Sequence, residues 1–356
     1  MIIWDPDPDI VRLGALAVSW YGLLFVLGFI AGRQIIIAIY RRDGKAGADF
    51  DGLLIAVVVG TIVGARLGHC LFYEPGFYFS HPLEVLKIWK GGLASHGAAI
   101  GILIALAIVA RKSGDRYLWI VDRIAIVAAL TGSLVRIGNF INSEMIGVPT
   151  NGSYGVVFAR AVEESLRHLE VVGQADIRKD AGARPGAEAP VTIDIRFKPD
   201  RGKEADLQGI VEGEIQFLLR HDPRIERHVA VAVNGALDYE LTKDDGTLRA
   251  LIHARGIPRH PSQLYEAFCC MLVSGVLFRM WWRRKGKLEE GVLTGWFFVV
   301  LFSCRLPIEF SKVDQVPAES GLPLNFGQLL SIPFILAGAA VLFWARRRRE
   351  KTNSGY

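Results

Sequence analysis

Seven stretches of this chain are each long and apolar enough to cross a lipid bilayer, and no other feature narrows its possible folds so far. They run from about Ala17 to Tyr40, Gly52 to Tyr73, Leu93 to Ala110, Leu118 to Phe140, Gln263 to Trp282, Gly291 to Phe310 and Gly327 to Ala345. A helix rising 1.5 Å per residue needs roughly 20 such residues to span a hydrocarbon core. Inside lipid every backbone N–H and C=O must find its partner within the protein, so each run is expected to be a helix. The fold expected is an all-α polytopic membrane protein with seven transmembrane helices.

The remaining polar sequence is concentrated in one block. Residues 155 to 255 hold 15 Lys/Arg and 18 Asp/Glu, while the rest of the 356-residue chain carries 26 basic and 18 acidic groups. The overall charge of +5 therefore comes from short basic loops and the tail, which argues against a nucleic-acid footprint. Arg41, Arg42 and Lys45 follow the first run, Arg111, Lys112 and Arg116 the third, Arg279 to Lys287 the fifth, and Arg346 to Lys351 the last. With positive loops kept inside, this alternation predicts the N-terminus outside and the C-terminus cytoplasmic, with the polar block outside. The domain division expected is 1–154 (helices 1 to 4), 155–258 (an extracytoplasmic head) and 259–356 (helices 5 to 7 and a basic tail). The opening MIIWDPDPDI lacks the positive start of a secretory signal, which predicts an uncleaved first helix.

Within the head, Val191 to Phe197 alternates like a strand, and Leu207 to Leu219 places Leu207, Ile210, Val211, Ile215 and Leu218 on one helical face. His228 to Val233 is β-branched before an Asn234-Gly235 turn, and Ala181 to Ala189 reads as an exposed loop. A small α+β insertion is expected. Gly60, Gly64 and Gly68 recur every fourth residue, as do Gly97 and Gly101, a spacing that lets helices approach closely in lipid. The four cysteines, Cys70, Cys269, Cys270 and Cys304, all fall in apolar runs, which disfavours a disulfide framework or a thiolate metal site.

Charges inside membrane helices are costly and mark function by default. Arg66 and His69 lie in the second run, His96 opens the third, and Arg136, Asn139, Asn142 and Glu144 close the fourth. Arg259, Gln263 and Glu266 open the fifth, and Arg305 and Glu309 lie late in the sixth. On the threading above all of them fall in the outer half of the bilayer, where the positive-inside rule does not account for arginine. The arginines either pair with these carboxylates, as the i,i+4 spacing of Arg305 and Glu309 allows, or grip an anionic ligand, for which the guanidinium fork suits phosphate. A phospholipid headgroup is the nearest abundant phosphate. His96 stands among glycines that leave room for a substrate, although a lone histidine at a helix start is more often structural until a partner chemistry is named.

The block Arg136-Ile-Gly-Asn139-Phe-Ile-Asn142-Ser-Glu144-Met-Ile-Gly147 resembles the signature of the prolipoprotein diacylglyceryl transferases of bacterial inner membranes. Trp20-Tyr21-Gly22, Gly64-Ala-Arg66-Leu-Gly68, Ser95-His96-Gly97, Arg259-His-Pro-Ser-Gln263-Leu-Tyr265-Glu266 and Arg305 with Glu309 resemble the family's other blocks, in its order. The resemblance covers about 250 residues of the membrane part and leaves about 159 to 255 unexplained. Val135, His69 and Lys312 depart from the residues usual in the family, and Lys312 is left out of the site.

The resemblance implies transfer of diacylglycerol from phosphatidylglycerol to the lipobox cysteine of prolipoprotein signal peptides, at the outer leaflet, with no cofactor, metal or nucleic acid. It implies His96, Arg136 and Arg305 as catalytic. Tyr21, Arg66, Asn139, Asn142, Glu144, Arg259, Gln263, Glu266 and Glu309 are implied to bind lipid or peptide, with Glu144 also orienting an arginine. A transporter of anionic phospholipid and a non-catalytic envelope scaffold are the other readings open at this point.

Overall fold

The computed structural model describes residues 1–14, 16–180, 189–199, 204–232, 234–244, 247–284, 288–313 and 323–353. Strands β1 (Ile2–Trp4), β2 (Asp9–Leu13) and β3 (Leu16–Ser19) precede α1 (Trp20–Arg42), α2 (Phe50–Phe72), the short α3 (Pro75–Ser80), α4 (Ser95–Ser113) and α5 (Tyr117–Ile141). Then come β4 (Val156–Phe158), α6 (Arg160–Arg167), β5 (Val172–Lys179), β6 (Pro190–Phe197), α7 (Glu204–Ile210), α8 (Gln216–His221), α9 (Pro223–Glu226), β7 (Val229–Ala230), β8 (Tyr239–Asp244) and β9 (Thr247–Gly256). The chain ends with α10 (Ser262–Arg284), α11 (Val292–Glu309) and α12 (Phe326–Asn353). The seven apolar runs correspond to α1, α2, α4, α5, α10, α11 and α12, all long and apolar enough to cross a membrane.

The first run begins later than its hydropathy indicates. Ala17 and Val18 belong to β3, which pairs antiparallel with β2 through Val11↔Val18 and Arg12↔Ala17, and the helix starts at Trp20. Gly14, at φ +63°, supplies the left-handed turn that the hairpin needs. Two compact units follow from the contacts: one of Met1–Tyr21, Ile137–Tyr265 and the described part of Phe310–Ser320, the other of Gly22–Arg136, Glu266–Glu309 and the described part of Gly321–Tyr356.

In the first unit, β5, β6, β9 and β7 hydrogen-bond in that order, and β8 also pairs with β9. Inward residues Val191, Ile193, Ile195 and Phe197 of β6 are buried, as their alternation requires. Helical residues 204–221 cover the sheet with Leu207, Val211, Ile215 and Leu219 fully buried, while Ile210 and Leu218 are only partly so. The stripe thus repeats every fourth residue rather than in the mixed three-and-four spacing expected. A π-helical turn at Val211–Ile215 widens the coil and keeps that stripe straight, where an ideal α-helix of 3.6 residues per turn would let it drift. The strand expected over His228 to Val233, of which Val233 lies outside the described residues, is reduced among the others to Val229–Ala230, which meets Gly256 and Arg255 at the far end of β9. Beside it, β8 occupies that edge of β9 from Thr247 to Ile252. The loop expected over Ala181 to Ala189 lies outside the described residues up to position 188.

In the membrane unit, α2 and α4 meet backbone to backbone. A Cβ at Gly64 would press on the Gly97 carbonyl oxygen and stand 2.8 Å from the Gly101 Cα, and one at Gly68 would stand 2.7 Å from the Gly97 Cα. The glycine repeats are therefore a packing device, and they bring His96 beside the end of α2. At the opposite ends of the helices, buried Arg123 donates to Asp43 at 2.8 Å, and Trp281 Nε1 donates to the same carboxylate at 3.1 Å. The neighbouring Asp122 accepts from the Gly291 and Thr294 amides at 2.8 Å each, tying α5 to α11. Unpaired, such buried charges would each cost several kcal/mol, on the order of the whole stability of a domain.

Candidate active site

The last turns of α5 and α11 and the first turns of α10 hold two arginine–carboxylate pairs inside the membrane unit. Arg136 Nε lies 2.8 Å from Glu266 Oε2, and Arg305 Nε lies 2.7 Å from Glu309 Oε1 one helical turn away. Both carboxylates are buried, and both arginines are less than half exposed. Cys270 of α10 lies within electrostatic range of Glu266, Arg136 and Arg305. The Cys270 sulfur faces Gly132, where a Cβ would stand 3.7 Å away in ordinary van der Waals contact. Glu309 in turn packs on Gly327, where a Cβ would stand 2.5 Å from the carboxyl carbon.

Arg66 is buried and occupied by backbone. Its guanidinium donates to the carbonyls of Glu84 (2.6 Å), Val85 (2.9 Å), Gly91 (2.6 Å) and Gly92 (3.2 Å), and its face lies over Tyr78. Carbonyl dipoles rather than a carboxylate therefore stabilise this cation, and it pins residues 84–92 against α2. His96, second residue of α4, stacks on Tyr73 with ring centroids 5.9 Å apart and meets Phe72 edge-on, while His69 stacks on the same Tyr73 at 5.4 Å. Among the described residues the His96 ring makes no hydrogen bond, and it is exposed.

The first unit gathers a second set. Immediately after α5 the backbone turns twice through the left-handed region, at Ser143 and Met145, both at φ +55°, and folds Glu144 back over the helix end. Non-glycine residues adopt this conformation at a cost and are concentrated at functional sites. Glu144 accepts from Asn139 Nδ2 at 2.9 Å and Asn142 Nδ2 at 3.2 Å, and its backbone carbonyl accepts from Gln263 Nε2. This turn points the Glu144 carboxylate at two amides, whereas the resemblance implied that it orients an arginine. Asn142 Oδ1, Ser143 Oγ and Gln263 Oε1 remain buried without a protein partner, an uncommon state for polar atoms and one that a bound donor would relieve.

Tyr21 packs on Gly138, whose Cβ would stand 2.9 Å from the tyrosine ring. Arg259 is buried and donates to the carbonyls of Arg227 (2.6 Å) and Gly147 (2.9 Å). Burial, then the charge of Arg227, holds its guanidinium below the usual arginine range. Arg160 was not singled out from sequence: its Nη2 donates to the Asn142 carbonyl, and its Nη1 is buried without a partner. It lies in the polar head, where an arginine carries no hydropathy signal. Ser143 likewise shows its importance only through backbone geometry.

The structure thus joins Arg136 with Glu266, Arg305 with Glu309, and Asn139, Asn142, Glu144 and Gln263 with one another. It commits Arg66 and Arg259 to backbone carbonyls and places His96 in an aromatic stack.

The family model described as prolipoprotein diacylglyceryl transferase matches residues 8–344. The chain belongs to the prolipoprotein diacylglyceryl transferase family. A phosphatidylglycerol–prolipoprotein diacylglyceryl transferase of Tolumonas auensis is 33% identical over 352 residues, covering 99% of this chain and all of its own length. The enzyme of that name from Chloroherpeton thalassium is 30% identical, with 99% and 98% covered, and that from Porphyromonas gingivalis 31%, with 95% and 92% covered. The family is one of transferases, and the seven apolar helices make this member a multi-pass membrane protein.

Proposed function

We propose that this protein transfers the diacylglyceryl group of phosphatidylglycerol to the lipobox cysteine thiol of a prolipoprotein, in a bacterial inner membrane with the reacting groups toward the outer leaflet. The observation that carries the reading is the pair of arginines within membrane helices, Arg136 and Arg305, each held by a buried carboxylate. Pairing fixes the two guanidinium groups in place without consuming their full capacity for phosphate, since each has five N–H donors.

The reaction needs a thiolate, a carbon electrophile and a stabilised leaving group. His96 takes the cysteine proton, because the thiolate is the nucleophile and a free thiol ionises near pH 8.5. Sulfur then attacks the glycerol carbon bonded to the phosphate oxygen, the C–S bond forms as the C–O bond breaks, and glycerol phosphate departs with the bonding pair. Charge growing on that phosphate meets Arg136 and Arg305. Loss of one such preorganised donor typically costs about 3 to 4 kcal/mol of barrier, or roughly 100- to 1,000-fold in rate.

Asn139, Asn142, Glu144 and Gln263 supply polar recognition, and the unpartnered acceptors on Asn142 and Gln263 suit the hydroxyl donors of a glycerol headgroup. Tyr21 lines the lipid's approach, and Arg66 and Arg259 act by holding backbone in place. The test is direct: purified protein with phosphatidylglycerol and a lipobox peptide, scored by mass for a diacylglyceryl thioether. A lipid transporter or a scaffold would yield none.

A further inference from the structure

The four arginines at the far ends of α10 and α12 do more than face water. Arg283 and Arg284 of α10 and Arg346 and Arg349 of α12 line one cavity of about 630 Å³, together with Glu289. Arg346 also reaches Glu350 at 3.2 Å, so among the described residues these four cations and two carboxylates leave the mouth net positive. Met280 and Trp296 form part of this cavity and also of a second, wholly apolar groove of about 270 Å³, which continues along Val273, Val276, Leu277 and Val300. A basic mouth opening into a hydrocarbon groove between membrane helices matches the two ends of one molecule, a diacyl phospholipid with an anionic head.

This place is distinct from the candidate active site. From Glu266 to Arg284 is 18 residues of α10, or about 27 Å at 1.5 Å per residue, nearly the roughly 30 Å of a hydrocarbon core. The cavity therefore opens at the leaflet opposite to the Arg136–Glu266 pair, the cytoplasmic one by the positive-inside rule.

We propose that the cleft between the ends of α10, α11 and α12 binds an anionic diacyl phospholipid of the cytoplasmic leaflet, separate from the lipid that reacts. The site stands whether or not the transferase reading does. Arginine suits it better than lysine, because the guanidinium fork grips a phosphodiester bidentately and sheds its water more readily.

The test uses the full chain in bilayer nanodiscs with a phosphatidylglycerol carrying a photoactivatable acyl chain, cross-linked and mapped by peptide. Labelling is expected on residues 273–300, competed by excess phosphatidylglycerol and not by phosphatidylcholine. Arg346→Gln with Arg349→Gln, which leaves the neighbouring basic residues to fix topology, should weaken labelling there by roughly 30-fold if each arginine contributes the usual surface-charge increment. Val276→Phe, which fills the groove without altering charge, should reduce it too, with melting temperature confirming that each variant is folded. Equal labelling by a phosphatidylcholine probe, or labelling unchanged in both variants, would overturn the proposal and leave only ordinary boundary lipid.

Discussion

Arg136 of α5 and Glu266 of α10 face each other 2.8 Å apart, Nε to Oε2, with the carboxylate buried between membrane helices. A charge pair in that position is poor as a source of stability, since desolvating both groups offsets most of their attraction. What it provides is a guanidinium held at a fixed place and angle.

Arg136→Lys is therefore expected to fold and insert while losing most transfer activity, on the order of 100-fold or more, because a point charge replaces the planar fork. Thioether yield and melting temperature together check this. Near-normal turnover in the lysine variant would make Arg136 a structural partner of Glu266 and nothing more.

His96→Asn separates a base from a scaffold. The variant should bind phosphatidylglycerol nearly as the parent does, lose most turnover at neutral pH, and recover part of it as pH climbs toward the cysteine value near 8.5, where thiolate forms without help. Loss of lipid binding would move His96 among the headgroup ligands. Parental activity at pH 7 would remove it from the mechanism.

The head carries two buried groups whose pH effects oppose each other. Burial, followed by the hydrogen bond and charge of Asp5, pushes the Glu163 carboxyl up from 4.5 to about 8, against the pull of the Ile177 amide and Arg167. Its contribution to stability is full below pH 4.5 and lost as pH rises through 8. Burial and then the charges of Arg259 and Arg227 push His228 down from 6.5 to about 4, so its contribution is full above pH 6.5 and lost as pH falls through 4. Between pH 6.5 and 8 only Glu163 is titrating of the two. Hydrogen-exchange protection of β5, measured in the full chain and corrected for intrinsic rates, should fall over that interval, and Glu163→Gln should flatten the fall. Parallel slopes in parent and variant would show that Glu163 is ionised throughout.

Topology is testable without any activity. A reporter inserted within Ala181 to Ala189 should read as external and one after Lys351 as cytoplasmic, following the alternation of basic loops. Both on one side would refute the threading.

Much of this protein is legible in its sequence because lipid is a demanding solvent. Length and hydropathy alone give seven helices, since a backbone in hydrocarbon has no other way to satisfy its hydrogen bonds, and the i,i+4 spacing of Arg305 and Glu309 allows the pairing that the structure shows. The same logic fails at the water-facing margins. Ala17 and Val18 are apolar enough for a helix, yet cross-strand pairing with Val11 and Arg12 claims them for a hairpin. The helical stripe of the head needs a π turn that no local periodicity announces. Which partner each of these arginines takes is decided only by tertiary structure: Arg136 finds a carboxylate, while Arg66 and Arg259 find backbone carbonyls of other segments. The physical reason is that a guanidinium can be satisfied equally by a charge or by a set of oriented dipoles. Its sequence neighbours do not say which of these the fold will bring within 3 Å.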